Sequence, residues 1–403
     1  MHEIDSRYAW FRLAISITLS ALGGVGMWSV VVALPAVQAE FGVARGGASL
    51  PFTLTTIGFG VGGVLMGKVT DRFGIVAPVL FGAGALGIGY ALAAMASSLS
   101  RFALAYGLLI GMFGTASTFV PLMADISRWF ERRRGIAVAL CASGNYIAGA
   151  FWPPVVDYLI RTIGWRSAHL AIGGICVVLM VPLALLLRAP APMRARNAPP
   201  LPSRFPRAAN LAPGTLQVLL AVAGLACCVA MSMPQVHIVA YCGDLGYGVA
   251  NGARMLSLMM GFGIISRIAS GFVADRVGGM MTLAIGSAAQ MTALALFLTS
   301  DGLVSLYVIS ALFGLFQGGL VPSYAIVVRE NFPVSEAGTR VGFVMMMTLL
   351  GMALGGWMSG AIFDLTGSYR AAFGNGVAWN ALNLAIAVFL LSRGRGRSVL
   401  RTA

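Results

Sequence analysis

The sequence predicts an all-α membrane protein: twelve transmembrane helices in two six-helix bundles related by a parallel pseudo-two-fold repeat. Three observations lead there. The composition is too apolar for a water-soluble globule, apolar stretches recur at bilayer-spanning length, and two short motifs each appear twice at one fixed offset.

Of the 403 residues, 58% are hydrophobic and only 10% are charged, and the mean hydropathy is +0.87. Soluble domains carry roughly 25% charged residues, and one aqueous core cannot absorb apolar side chains in this proportion. A bilayer can. The formal charge of +14 does not point to nucleic acid, because no soluble basic domain or aromatic-basic module is present to hold a polymer. Basic residues also accumulate in the cytoplasmic loops of membrane proteins. Cys141, Cys176, Cys227 and Cys228 fall within apolar stretches and Cys242 near the end of one, without metal-ligand spacing. They read as small buried apolar groups.

A spanning helix needs about 20 mainly apolar residues. Apolar windows between charges and Pro/Gly breaks give spans at 12–34, 50–67, 75–97, 102–124, 135–160, 167–187, 215–240, 252–272, 280–299, 303–328, 339–363 and 371–392. The first follows Arg7 and Arg12 and runs to Leu34 without a small-residue cleavage site, so it reads as a retained span rather than a leader. The one long polar stretch, 188–214, holds seven prolines and five arginines and reads as an extended linker. The expected division is therefore a first bundle over 1–187, a cytoplasmic linker over 188–214 and a second bundle over 215–403.

Charge sets the expected orientation. With the N-terminus in the cytoplasm, 20 of the 27 Lys and Arg lie on that side. Arg45, Arg101, Arg161, Arg166 and Arg370 lie on the other, and Arg254 and Arg267 sit on the eighth span. This asymmetry favours both termini inside, an even number of spans and residence in the cell (inner) membrane.

The halves repeat. Gly67-Lys-Val-Thr-Asp71-Arg72-Phe-Gly74 follows the second span, and Gly271-Phe-Val-Ala-Asp275-Arg276-Val-Gly278 follows the eighth, 204 residues on. Arg166, after Gly164-Trp, and Arg370, after Ser368-Tyr, are again 204 apart. Two unrelated matches at one offset imply a duplicated bundle, an organisation in which transporters hold substrate at mid-membrane.

With the G-x-x-x-D-R-x-G loop present twice, the chain resembles the major facilitator superfamily over nearly its whole length. The resemblance implies the major facilitator fold and a conformational latch at Asp71, with Asp275 its counterpart and Arg72 and Arg276 beside them. The family's usual basic residues after the last glycine are replaced by Ile75 and Gly279. Two further stretches resemble the monocarboxylate and oxalate/formate carrier branch. These are Arg128-Trp129-Phe130-Glu-Arg132-Arg133-Arg134-Gly135-Ile136-Ala137, leading into Ser143-Gly144, and Ser266-Arg267-Ile-Ala-Ser-Gly271. By position, Arg267 takes the place of the arginine that binds the substrate carboxylate in that branch. Animal members carry an aspartate four residues earlier, where this chain has Gly263, and match the first span only around Trp28. Oxalate carriers have a lysine in the eleventh span, whereas 341–363 holds no charge.

The residues themselves support Arg267 as the leading candidate. A charge inside a span costs about 2.5–3.5 kcal/mol on insertion scales and persists where it pairs, lines water or binds an anion. A guanidinium fork matches a carboxylate. His237 follows Pro234, which is expected to break the seventh span, and can exchange a proton near neutral pH; plain packing is its alternative. Asn145, Tyr146 and Trp152 on the fifth span, Gln317 and Tyr324 on the tenth, and Trp28 on the first are further substrate-contact candidates. Asp125 and Arg128 near the end of the fourth span, and Glu330 and Arg340 near the tenth and eleventh, read as gate or loop ion pairs. Asp157 with Arg161 or Arg166, and Asp364 with Arg370, are expected to pair on the opposite side.

No phosphate loop, zinc-spaced histidines or nucleophile constellation is visible, so the chain does not read as an enzyme and implies no cofactor or metal. The expected function is secondary transport of a small organic anion, most simply a monocarboxylate, by alternating access with protons as a coupling partner. The expected state is a monomer in lipid. The alternatives are a proton-driven drug or metabolite exporter of the same superfamily, and a non-transporting membrane receptor.

Overall fold

The computed structural model describes residues 4–189 and 211–395. Helices long and apolar enough to cross a membrane make up the described chain, eleven by continuous length. The longest, Gly135–Leu186, is two helices joined at Gly164, whose φ of 79° and ψ of 157° are not helical. Divided there, the described chain has twelve spans, as the hydropathy pattern predicts. They run Arg7–Phe41, Arg45–Phe73, Val76–Ala94, Leu99–Trp129, 135–163, 165–186, Pro213–Asp244, Val249–Val277, Gly279–Thr299, Leu303–Asn331, Glu336–Thr366 and Tyr369–Arg393. The helices overrun the apolar windows because hydropathy marks where side chains turn polar, whereas a helix ends where its cap forms. Ser6 caps the first span, accepting from the Ala9 N–H at 3.3 Å, and Ser98 caps the fourth. Of the expected linker, residues 190–210 lie outside the described residues.

The duplication extends to backbone conformation. Gly42 and Gly246, both at positive φ, are 204 residues apart, as are Gly74 and Gly278, and Gly164 and Gly367 nearly so. Gly74 (φ 76°, ψ 178°) and Gly278 (φ 85°, ψ 162°) are the last residues of the two repeated loops. That region of φ/ψ space is open essentially to glycine alone, so the terminal glycine of the motif is there to let the chain reverse into the next helix.

Several spans are interrupted. The first divides at Gly24 into Arg7–Gly23 and Val25–Phe41. The fourth passes through a π-helical stretch at Ala105–Gly114 and a 3-10 turn at Thr115–Thr118 before resuming at Val120. The tenth divides between Gln317 and Leu320. The breaks at Gly114 and Gly318 are 204 apart, so the duplicated halves carry the same discontinuity. Pro234 does not break the seventh span; the helix runs through it from Pro213 to Asp244. A proline interior to a helix removes one N–H, and tertiary packing can hold the helix through it.

Two compact units result. One holds the first six spans and Val236–Gly261; the other holds the seventh span up to Gln235 and the described chain from Phe262 onward. Within the first, the third and sixth spans pack closely, with Gly87 against Val177 and Gly173 against Tyr90. In the second, the ninth and twelfth spans pack in the same way, around a core that includes Leu283, Tyr324, Val327 and Leu390. Val64, Ile88, Val178, Phe272 and Val304 are among many exposed large apolar residues, a surface suited to acyl chains and unsuited to water.

Gly74→Ala and Gly278→Ala should each destabilise the protein by about 1–3 kcal/mol through backbone strain alone, since nothing lies within 4 Å of a Cβ added at Gly74. Gly67→Ala and Gly271→Ala, helical and equally uncrowded, should be neutral or stabilising by up to about 1 kcal/mol. Melting temperatures in detergent distinguish the two pairs.

Candidate functional site

The second unit places Arg267 at a helix crossing. Arg267 is half-buried and lies ten residues before the end of Val249–Val277, about 15 Å along the helix axis. The preceding residue, Ser266, is buried, and its Oγ accepts the Gly319 N–H at 3.2 Å. A Cβ on Gly318 would stand 2.2 Å from the Gly263 carbonyl oxygen, so the eighth and tenth spans touch backbone to backbone here. The turn that carries Arg267 is thus seated on the break in the tenth span. Gln317, fully buried, is the last helical residue before that break. Its Oε1 accepts from Gln235 Nε2 of the seventh span at 2.7 Å. In the first unit, the position 204 residues before Arg267 is Gly63, so the arginine is an addition to the shared scaffold.

Tyr324 is not part of that surface. It is fully buried, and its hydroxyl donates to Asn383 Oδ1 at 2.6 Å. Asn383 in turn donates to Ser287 Oγ at 2.8 Å, and Asn380 to the Ser287 carbonyl at 2.7 Å. This polar layer joins the ninth, tenth and twelfth spans in the bundle core.

In the first unit Trp28, Asn145 and Trp152 come together. The Trp28 indole donates to the Asn145 carbonyl at 3.2 Å, and the Trp152 indole donates to the Ala21 carbonyl at 2.9 Å. Both bonds tie the first span to the fifth beside the break at Gly24. Tyr146 is buried at 8% exposure on the same helix, and His237, at 1%, lies in the part of the seventh span that belongs to this unit. Ser257 donates to the Ala150 carbonyl, the one that Pro154 leaves without its helical donor. At the end of this unit away from the repeated loops, Arg45 bonds both oxygens of Asp244, at 3.1 and 2.9 Å. The pair borders a cleft of about 430 Å³ that Pro35, Gln38, Val43 and Ala240 also line.

Among the expected gate residues, Asp71, Asp125, Arg128 and Arg340 form ion pairs. Asp71 pairs with Arg128 at 2.9 Å, and both side chains are exposed. Asp125 instead receives Arg12 in a two-point bond at 2.7 and 3.0 Å, where the side chains are 7% and 1% exposed. The Arg12 guanidinium also lies 4.6 Å over the Trp129 ring and donates to the Ala189 carbonyl. Nearby, Asp5 accepts the N–H groups of Glu131 and Arg132. Glu330 accepts the Gly279 N–H at 3.0 and 3.3 Å, a carboxylate at the start of the ninth helix. Arg340 pairs with Glu336 at 2.8 Å and covers Phe332. Asp275, Arg276 and Arg72 are exposed. At the opposite end, Asp157 pairs with Arg161 as expected. Arg166 instead meets Glu40 and the carbonyls of Ala94 and Ala96, and Arg370 meets Asp301 rather than Asp364. The repeated arginine therefore clamps the end of the third span in one bundle and the end of the ninth in the other.

Sequence reasoning missed three constellations. Gln235 has no motif around it. Arg12 was read only as a flanking charge. Ser29, Tyr90, Tyr106 and His169 form a fully buried chain linked by bonds of 2.7–3.1 Å, and the only signal was polarity inside apolar spans. No metal-capable cluster exists among the described residues, and all five cysteines are free and buried.

A sequence model of the Major Facilitator Superfamily matches residues 16–304 and 283–402. The chain belongs to this superfamily. Among the relatives of this facilitator is monocarboxylate transporter 13 of Rattus norvegicus, 29% identical over 329 residues, covering 81% of this chain and 74% of that one. Monocarboxylate transporter 11 of Homo sapiens is 30% identical over 319 residues, covering 76% and 66%. The MFS-type transporter pynF of Aspergillus niger is 26% identical over 311 residues, covering 75% and 69%. The resemblance to the monocarboxylate branch, read from the stretches around Arg128–Ala137 and Ser266–Gly271, is borne out. The facilitator fold is shared with a solved bacterial homolog of the human lysosomal transporter Spinster, at TM-score 0.72 and 13% identity over 97% of this chain and 98% of that one. It is shared as well with the nucleoside transporter NupG, at TM-score 0.69 and 14% identity over 94% and 99%.

Asp125→Ala should destabilise this facilitator by about 3–5 kcal/mol, because it strands a buried guanidinium. Asp71→Ala, which breaks an exposed pair, should cost at most about 1 kcal/mol. Thermal inactivation half-lives in detergent give the comparison.

Proposed function

We propose that this facilitator is a secondary carrier of small organic anions, monocarboxylates above all, working by alternating access. The observation that carries the reading is Arg267, a cation near the middle of a long apolar helix and seated on the discontinuity of the tenth span. Broken helices in transporters supply polar groups at mid-membrane depth, and a guanidinium among them holds a carboxylate by a planar two-point bond. One such cation suits a monoanion. The relatives named as monocarboxylate transporters support the same class. His237 is the group assigned to proton exchange in this reading, as a buried histidine of the seventh span. The distribution of Lys and Arg supports cytoplasmic termini and residence in the cell membrane. The exposed Asp71–Arg128 pair serves as a reversible latch, since a solvated ion pair forms and parts at small cost.

The test is uptake of labelled carboxylates into proteoliposomes, with and without a pH gradient. Arg267→Ala should lower kcat/KM for the best substrate by roughly 10–100-fold, the worth of a charge-assisted hydrogen bond. Arg267→Lys should retain part of it, since lysine keeps the charge and loses the fork. Normal uptake by both variants would remove Arg267 from substrate binding. His237→Gln should weaken the response to the pH gradient while leaving exchange at equal pH intact.

A further inference from the structure

We infer that Gln235 and Gln317 together form a subsite for an uncharged hydrogen-bonding substituent of the transported anion; the inference rests on the carboxylate reading of Arg267. The two carboxamides meet inside the second unit, with the residues 2% and 0% exposed. Facing carboxamides can close two hydrogen bonds between them. Here only one is made, from Gln235 Nε2 to Gln317 Oε1 at 2.7 Å. Gln235 Oε1 and Gln317 Nε2 are sealed from solvent and have no partner among the described residues. The bonded pair therefore leaves one acceptor and one donor unanswered.

Buried polar atoms in folded proteins are satisfied with few exceptions, and each exception calls for a ligand, a water or a functional reason. One hydroxyl group answers both atoms at once, donating to Gln235 Oε1 and accepting from Gln317 Nε2. A methyl group in the same place answers neither. The pair also lies where a cargo's tail would be read. Gln317 ends the first half of the tenth span, and the break that follows it rests on the turn of the eighth span carrying Arg267, through the Gly319 N–H to Ser266 Oγ bond. The carboxylate anchor and the carboxamide pair thus border one helix crossing. The positions 204 residues earlier are Val31 and Phe113, so the pair, like Arg267, is absent from the other copy of the scaffold.

The experiment compares two isosteric acids, β-hydroxybutyrate and isovalerate, in which a methyl replaces the hydroxyl. Initial uptake into proteoliposomes is measured for the wild type, Gln235→Leu, Gln317→Leu and Arg267→Ala. The ratio of the two rates is taken within each preparation, so that yield cancels. The wild type should favour the hydroxy acid by about tenfold, the worth of one hydrogen bond made in place of a buried unpaired group. Either leucine variant should bring the ratio to about one or below by losing hydroxy-acid uptake, with isovalerate uptake kept. Arg267→Ala should depress both acids together. If a leucine variant does not reconstitute, Gln→Asn at the same position keeps the amide and withdraws it by one methylene, and should lower the ratio likewise. A ratio that is the same in the wild type and the variants would mean that the pair holds only a structural water, and would overturn the inference alone. Absence of wild-type uptake for both acids would overturn the carboxylate reading and the inference with it.

Discussion

Hydrocarbon offers no hydrogen bonds, so every interruption of these helices has to be answered by another part of the protein. The structure follows that constraint from one break to the next. Beside the break at Gly24, the Trp152 indole takes the Ala21 carbonyl. Opposite Pro154, the Ser257 hydroxyl takes the Ala150 carbonyl. At the division of the tenth span, Ser266 takes the Gly319 N–H. At the start of the ninth helix, Glu330 takes the Gly279 N–H. Each answer comes from a neighbouring span, so the side chains that repair the backbone also set which helices lie together. Helix association in lipid has no hydrophobic drive of its own, and these bonds, with the backbone-to-backbone contact of Gly263 and Gly318, supply part of what takes its place.

The duplicated bundles share a scaffold and differ in where they are polar. Loop glycines, helix breaks and the clamping arginines Arg166 and Arg370 recur at one offset. The buried hydrogen-bond layers do not. In the first bundle the layer is Ser29, Tyr90, Tyr106 and His169; the positions 204 later are Met233, Leu294, Ser310 and Phe373. In the second the layer is Tyr324, Asn383, Asn380 and Ser287; the positions 204 earlier are Val120, Leu179, Cys176 and Ala83. A common backbone path therefore carries two independently stitched cores. Arg267, with Gly63 as its counterpart, belongs to the divergent set.

The parts legible from the sequence were those encoded locally. Span number followed from hydropathy, even at Gly164, where polar residues mark a turn that continuous helical hydrogen bonding obscures. The repeated loops announced their glycines. What stayed illegible was pairing across the chain. Asp125 stands three residues from Arg128 but is buried against Arg12 of the first span, while Arg128 is exposed and reaches Asp71. Arg370 lies near Asp364 in sequence and meets Asp301 in space. Tyr324 shows why polar aromatics mislead: in an apolar span, a tyrosine lining a cavity and one bonded inside the core have the same neighbours in sequence. Gln235 could not be selected at all, since its meaning depends on Gln317, 82 residues away.

The bond between Arg12 and Asp125 has a consequence for how the protein is made. The two residues are 113 positions apart, so when the first helix leaves the ribosome its guanidinium has no companion. The buried contact closes only once the fourth helix is beside the first. The opening helix is thus secured by a carboxylate made long after it, and the first four spans settle as one cooperative assembly rather than one at a time.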